Sequence, residues 1–566
     1  MTAAASGPVF SLRDIPFSYR GSWFGFSPVV AEKIYAEDVH LVSHQTGMHP
    51  ILKLIPTAGA AITATPYQLT WAGEHGRIDL AYENADTVRV RGDGLGLRLL
   101  AADPVLTPFS GPYLYQDPVD GSFVFTVYQT GRRYRITILA GRPGHLGAQA
   151  LGNAERGLVL DAEWEIAIEE YETARAPYTS ADTFEQVVKA ARADFDAFVA
   201  AVAPWRSERT PAAELAAYVL WSATVRPAGF VTRPAVLMSK HWMDKVWSWD
   251  HCFNAIALAG GLPDLAWDQF HLPFGHQDPA GALPDSVTHS EVLYNFVKPP
   301  IHGWSLRHLP PADPGVYPLL ERWTAFWLEA RRAPGRELPH YQHGNDSGWD
   351  NATTFDPERV VETADLAAFL VLQLRRLARL APDPDTSARW SAQADRMRDA
   401  LLAELWDGER FVARGVLSGR TWSSSSLLDL MPIVLGEELP QPIRAALAAR
   451  IRRHLTAFGL ATELPDSPHY LDDGYWRGPV WAPSTVLIED GLRRAGYADL
   501  ADEISARFRM LCEKSGFAEN FDARTGEGLR DRAYTWTASA YLILAAAHER
   551  RAASGAVTGP TAATSG

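Results

Sequence analysis

Apolar residues recur at every second position through roughly the first 175 residues and at three- and four-residue steps from about residue 182 onward. A side-chain period of two belongs to strands and one near 3.6 to helices, so the chain must divide into a β part followed by an α part. The clearest strand signal is Leu158, Leu160, Ala162, Trp164, Ile166 and Ile168, interleaved with Asp161, Glu163 and Glu165. Val88 and Val90 alternate with Arg89 and Arg91, and Leu95, Leu97 and Leu99 resume the pattern beyond a turn-like Gly92-Asp93-Gly94. The run from Phe123 to Tyr128 and the set Tyr134, Ile136, Ile138 read as a pair about Gly131-Arg132. Short strands at this spacing predict an antiparallel β-sandwich domain over residues 1–178. A helix near 183–202 reads as the core of a helical linker, 179–208.

From 209 to 553 the chain repeats helix, loop, helix. Leu366, Leu370, Leu374, Leu377 and Leu380 form one apolar stripe. Other helices are expected near 212–225, 251–262, 317–331, 386–406, 440–455, 482–495, 498–514 and 536–552, with Gly496 separating two of them. Many antiparallel helices joined by long loops at one end suggest a ring of helical hairpins. Residues 554–566 read as a disordered tail.

The balance of 53 Lys+Arg against 67 Asp+Glu leaves a net charge of −14, which argues against nucleic acid or an anionic membrane as partner. Two cysteines, Cys252 and Cys512, make neither a disulfide framework nor a cysteine metal site. The N-terminus lacks a basic segment followed by a long apolar stretch, so no secretory signal is read and a cytoplasmic location is expected. No run of about 18 apolar residues is present. The 19 tryptophans are many for this length, and a good share sit beside Asp, Glu, His or Gly in loop-like segments. Indole faces stack on sugar C–H faces while carboxylates and amides bond hydroxyls, so this mixture suits carbohydrate; aromatic core packing accounts for many of them too.

Four loop segments concentrate the unusual residues: Lys240 to His251, His276 to Trp304, His343 to Asn351, and Asp472 to Trp481, followed later by Gly516 to Asp522. Hydrolysis of a glycosidic bond needs one protonated carboxyl at the leaving oxygen and a second carboxylate acting on water or on the sugar carbon. An aromatic, partly dry pocket raises the acid's pKa. Asp350, behind Gly348 and Trp349, has such neighbours, and Glu519 lies between Ala518 and Asn520, but composition alone cannot select these two from 67 acidic residues. His241, His251, His276 and His343 follow no ligand spacing, so no metal and no cofactor is expected. No glycine-rich phosphate loop is found in its strand-and-helix context.

Ser347-Gly348-Trp349-Asp350-Asn351 resembles the acid motif of glycoside hydrolase family 63 and is similar to that of the trehalases. Tyr475-Trp476-Arg477-Gly478-Pro479-Val480-Trp481 resembles the Trp-Arg-Gly-Pro-x-Trp segment of the same group. Phe517-Ala518-Glu519-Asn520-Phe521, with Thr525-Gly526 after it, resembles the base motif, and Thr535-Trp536-Thr537 the Ser-Trp-Thr that follows. Trp249-Asp250 resembles the Trp-Asp that contacts sugar in subsite −1. The motifs stand in family order over about residues 235–540. The resemblance implies an (α/α)6 barrel behind the β-sandwich and an inverting mechanism, with Asp350 as general acid and Glu519 as general base. It implies substrate contacts from Trp249, Asp250, Gly348, Trp349, Asn351, Arg477, Gly478, Trp481 and Trp536, and His302 and Trp304, from the second loop segment, are read as further contacts. The family includes oligosaccharide glucosidases and hydrolases of mannosylglycerate and glucosylglycerate, so the expected substrate is a small α-glycoside or oligosaccharide with an α-linked, glucosyl-type unit. Two departures stand out: Asn345-Asp346-Ser347 where members often carry Glu-Ser, and Ala352-Thr353-Thr354-Phe355-Asp356 where a Ser-Pro-Arg-Trp-like run is usual on the acceptor side. A trehalase, a sugar-binding barrel without catalysis and a phosphorolytic barrel are the competing readings. The Glu-Asn-Phe base motif disfavours the first, and the presence of both carboxylates the other two.

Overall fold

The structure is a computed structural model that describes residues 7–147, 151–311 and 314–557. The chain divides into two compact units, Met1–Ala200 with Ala217–Lys245 and Thr288–Glu291, and Ala201–Ala216 with Val246–Val287 and Val292–Gly566.

The first unit is built on two large antiparallel sheets, one of seven strands and one of eight. The expected strand from Leu158 to Ile168 is two strands. Gly157–Leu160 pairs with Leu97–Ala101 in the seven-stranded sheet, and Trp164–Tyr171 lies between Arg132–Ala140 and Thr87–Asp93 in the eight-stranded one. Ala162, expected to point inward, is exposed and left-handed at φ 62°, because it sits in the turn that carries the chain from one sheet to the other. The apolar period runs through this turn unbroken, since both sheets bury one face. Gly92-Asp93-Gly94 makes the same kind of crossing between Thr87–Asp93 and Leu97–Ala101. A Cβ on Gly92 would stand 2.3 Å from Trp164 Nε1, whose N–H donates to the Leu95 carbonyl at 3.1 Å. The pair about Gly131 forms as expected, Phe123–Val127 against Arg132–Ala140.

Phe184–Val202, expected as a linker, groups with the first unit up to Ala200. Phe184 and Val187 pack with Ala81 of the eight-stranded sheet, and the Arg91 guanidinium lies 4.3 Å from the Phe184 ring. Ala217–Lys245, expected in the helical domain, also groups here. Tyr218 stacks on Phe10 at 4.6 Å and Trp221 meets Phe195 edge-on at 5.5 Å, so both rings are covered by the first unit's own aromatics.

The second unit is a helical barrel. Three of its hairpins pair Asp250–Leu258 with Pro263–Phe274, Ala364–Leu380 with Pro384–Glu404, and Ala482–Arg494 with Ala498–Ser515. Asp250–Leu258 touches His302–Ser305, which touches Ala364–Leu380, then Leu427–Glu438, then Ala482–Arg494, then Thr535–Val557, and so back to Asp250–Leu258. Pro263–Phe274 and Leu427–Glu438 escaped the helical pattern because each carries an internal proline, Pro273 and Pro432. Residues 554–557, expected in the tail, continue Thr535–Val557, and 558–566 lie outside the described residues. No helix among the described residues is long and apolar enough to cross a membrane.

Gly92→Ala should therefore destabilise the first unit by about 1–3 kcal/mol through overpacking and lower the urea midpoint, whereas Ala162→Gly should stabilise it by about 1 kcal/mol by relieving a left-handed alanine and raise the midpoint. Denaturation followed by tryptophan fluorescence and circular dichroism checks both.

Candidate active site

The segments singled out in the sequence precede or open the N-termini of the ring helices, so they gather at one end of the barrel. Trp249 precedes, and Asp250 opens, Asp250–Leu258. Trp481 caps Ala482–Arg494, and Trp536 lies in the first turn of Thr535–Val557. A carboxylate at a helix N-terminus is favoured by the helix dipole.

The acid motif is a loop shaped by glycine. Gly344–Ser347 is a single 3-10 turn that ends at Gly348, left-handed at φ 74°. A Cβ on Gly348 would lie 2.5 Å from the Trp249 ring, and one on Gly344 would lie 2.5 Å from the Asp350 carbonyl oxygen. Only glycine at both positions lets the loop lie flat on Trp249. Asp346 anchors the loop. Its carboxylate accepts from Arg331 at 2.7 Å, the Gln342 amide at 2.9 Å and the Val297 amide at 3.1 Å.

Five indoles form one buried wall under the site. Trp349 meets Trp476 at 4.5 Å, Trp476 stacks on Trp481 at 4.0 Å, Trp481 meets Trp536 edge-on at 5.5 Å, and Trp536 meets Trp249 edge-on at 5.6 Å. Each is at most 3% exposed. Trp249, Trp349, Trp481 and Trp536, expected as sugar platforms, are buried here against one another and against Trp476, and the buried Trp536 indole N–H has no protein partner.

Asn351 and Arg477, expected to touch substrate, sew two loops together. The Asn351 side-chain amide donates to the Gly474 carbonyl at 3.0 Å and its oxygen accepts from the Trp476 amide at 3.0 Å. Arg477 donates to the Asn351 carbonyl at 2.6 Å and to Asp356 at 2.5 Å. Gly478 fills a place where a Cβ would meet the Leu471 carbonyl oxygen at 2.1 Å. The base motif joins the same assembly through paired backbone bonds, Val480 N–H to Phe521 O at 2.7 Å and Phe521 N–H to Val480 O at 3.0 Å. The Glu519 amide donates to the Asp531 carbonyl at 2.7 Å, and the Thr537 hydroxyl to the Ala518 carbonyl at 2.7 Å.

Asp250, Asp350 and Glu519 share one electrostatic neighbourhood: all three act on Tyr475, whose phenol is pushed well above its ordinary value first by burial and then by Glu519, Asp350 and Asp250. Tyr475 sits at φ 63°, a left-handed conformation costly for a residue with a Cβ. Burial lifts Asp350 above the usual carboxylate range against the pull of Lys298, with Asp285 adding to the rise. Burial lifts Asp250 to about 8 against the same Lys298, and burial with the Asp531 charge lifts Glu519 to about 8. Asp250 Oδ2 and Glu519 Oε2 are buried without a hydrogen-bond partner. Such atoms cost free energy unless a ligand or water meets them.

Tyr475, Lys298, Asp285 and Asp531, whose charges or burial act on these carboxyls, are not among the site residues expected from the sequence. The Lys298 ammonium lies 2.9 Å from Asp285 and donates to the Asn345 carbonyl at 3.0 Å. Its one sequence signal is a lysine set between Val297 and Pro299-Pro300. His302 and Trp304, expected in the site, turn elsewhere. Trp304 donates to Asp490 at 2.9 Å on Ala482–Arg494. His302 is packed against Phe274, Phe270 and His251. His251, Cys252 and His302 bring three possible ligand atoms within 4.8 Å of one another. They do not fit a cation: the Trp323 N–H donates to His302 Nδ1 at 3.2 Å, which places the proton on His302 Nε2 and removes its lone pair.

Carboxyls whose folded pKa is raised contribute stability fully below their unfolded pKa and lose it as pH rises through the folded value. The chain should thus lose stability as pH climbs from about 4.5 through 8, and Glu519→Gln or Asp250→Asn should flatten that loss and raise stability at pH 8 by on the order of 1–2 kcal/mol. Thermal unfolding of wild type and variants at pH 5 and 8 measures it, and equal midpoints at both pH values would contradict it.

The family profile for the mannosylglycerate hydrolase MGH1-like glycoside hydrolase domain matches residues 243–537, more than half of the chain. The mannosylglycerate hydrolase of Rubrobacter radiotolerans is 26% identical over 418 residues, covering 56% of this chain and 92% of that protein. The crystal structure of the GH63 mannosylglycerate hydrolase from Thermus thermophilus in complex with Tris and D-glycerate superposes with a TM-score of 0.50 at 23% identity, over 58% of this chain and 98% of its own. A bacterial glucoamylase complexed with acarbose superposes with a TM-score of 0.60 at 12% identity, over 97% of this chain and 96% of its own. At that identity the likeness is one of fold. The profile covers Asp250, Asp350 and Glu519 together with the loops that hold them, and the chain belongs to the mannosylglycerate hydrolase MGH1-like group of glycoside hydrolase family 63.

Proposed function

We propose that this enzyme hydrolyses a small α-glycoside of glycerate, glucosyl or mannosyl, with inversion at the anomeric carbon. The observation that carries the reading is the set of three carboxyls about Tyr475, the buried Asp250 and Glu519, each with an unpartnered oxygen, and the half-buried Asp350. Asp350 protonates the leaving oxygen, its proton held by the dry surroundings that raise it. Glu519 takes a proton from the attacking water beside the buried Tyr475 phenol. Asp250 binds sugar hydroxyls in subsite −1. The glycerate aglycone is drawn from the relatives, whose names carry mannosylglycerate and one of whose structures holds D-glycerate. The closed circuit of helix contacts supports reading the barrel as (α/α)6.

The reacting form has Glu519 ionised and Asp350 protonated. With Glu519 raised to about 8 and Asp350 raised above the usual carboxylate range, the pH profile has two limbs, one set by each carboxyl. The apparent values belong to the coupled set. Asp531→Asn removes a negative neighbour and should move the limb of kcat/KM that Glu519 sets to lower pH; a profile in which neither limb moves would count against Glu519 as the base.

Time-resolved proton NMR on α-glucosylglycerate, α-mannosylglycerate, trehalose and maltose tests the rest. Wild type should release the β-anomer first from one of the glycerates. Asp350→Asn and Glu519→Gln should each lose at least about a hundredfold in kcat. Release of the α-anomer first would reject inversion, and cleavage of trehalose alone would reject the glycerate aglycone.

A further inference from the structure

The last turns of Ala364–Leu380 carry Arg375, Arg376 and Arg379, and Arg307 and Arg494 reach the same place from neighbouring helices. The five arginines line a cavity of about 250 Å³ whose only acidic lining residues are Glu437 and Glu438. Five arginines about one cavity stand out in a chain whose net charge is −14.

The arginines are unevenly partnered. Arg375 bonds Glu438 at 2.8 Å and Asp395 at 2.7 Å, Arg494 bonds Asp490 at 2.9 Å, and Arg307 stands 3.9 Å from that same Asp490. Among the described residues, Arg376 and Arg379 have no carboxylate within ion-pair reach, and the buried Arg376 Nε has no hydrogen-bond partner. Burial and then the neighbouring Arg379 and Arg307 hold Arg376 below its ordinary pKa, and burial with Arg494 does the same to Arg307. Like charges crowded this way destabilise the fold until an anion lies between them. Gly436, left-handed at φ 58°, leaves the room that Arg494 occupies, since a Cβ there would meet its side chain at 2.8 Å.

We propose that this cavity binds a small phosphate-bearing anion, either inorganic phosphate or the phosphate group of a phosphorylated metabolite. Guanidinium forks match phosphate oxygens two at a time, and a dianion can engage several forks at once. The place is distinct from the carboxyl site. Trp481 caps the N-terminus of Ala482–Arg494 and Arg494 is its last residue, so 13 residues of helix separate the tryptophan wall from the cavity, about 20 Å. Phosphate held here is too far away to replace the attacking water.

The test is isothermal titration and thermal unfolding of the full chain in an oxyanion-free buffer, with ionic strength held constant by sodium chloride. Inorganic phosphate should bind saturably at one site and raise Tm where chloride does not. Arg376→Gln should weaken that binding by about tenfold or more, raise the anion-free Tm by relieving repulsion, and leave glycoside hydrolysis unchanged. Arg379→Gln, at an exposed position, gives the same reading should the first variant fold poorly. Glycerol 3-phosphate and glucose 6-phosphate separate the sources: tighter binding than phosphate assigns the cavity to a metabolite, equal or weaker binding to the free ion. Absence of a phosphate response beyond that of chloride, or a response that survives both substitutions, overturns the proposal. A fall in the anion-free Tm of Arg376→Gln without any phosphate response in wild type would leave the arginines as caps of helix ends.

Discussion

Residues as far apart as Trp249 and Trp536 meet in a single wall of five stacked and edge-on indoles, and the rest of the site is hung on that wall. Each indole buries about 150–250 Å², worth several kcal/mol of transfer free energy at roughly 25 cal/mol per Å². That burial draws the acid loop, the Tyr475–Trp481 loop and the start of Thr535–Val557 to one place. It also dries the surroundings of the carboxyls. Backbone bonds between Val480 and Phe521, and the Asn351 amide between Gly474 and Trp476, then set the loops in register to within hydrogen-bond tolerance.

The same burial makes the site expensive. Asp250 and Glu519 are both pushed to about 8, and each leaves an oxygen without a partner. A core selected for stability alone would place apolar or amide side chains there. Holding ionisable groups in a dry pocket is what acid–base chemistry at a glycosidic oxygen requires, so stability is given up where reactivity is gained. The carboxyls are also tuned separately. Lys298 pulls down on Asp250 and Asp350, while Glu519 answers to Asp531 and Arg530.

Charge is segregated along the ring helices of the barrel. Carboxyls gather where those helices begin, and arginines where Ala364–Leu380 and Ala482–Arg494 end. The helix dipole favours each arrangement. Its last-turn preference is satisfied by one or two cations per helix, and the crowd of five about one cavity goes beyond that need.

The change of apolar period by itself determined that sheets precede helices, because burial on one face imposes a period of two on a strand and near 3.6 on a helix. The ordered motifs selected Asp350, Glu519 and Asp250 from 67 acidic residues. Period alone could not see Ala162 turning between two sheets, since the alternation continues across the turn. Nor could it see helices interrupted by Pro273 or Pro432. Local sequence placed Trp304 and His302 with the site because they lie in a loop rich in site-like residues, but only the packed barrel turned Trp304 to Asp490 and His302 to Trp323. Asn351 and Arg477 carry the chemistry of hydroxyl ligands, yet their long-range partners made them seams between loops. Lys298, Tyr475 and Asp531 matter through charges brought near them from elsewhere in the chain, and the arginine cavity exists only where three helices end together. Residue type and spacing are local properties, whereas burial, partner and field are set by which distant segments the tertiary structure brings within a few ångströms.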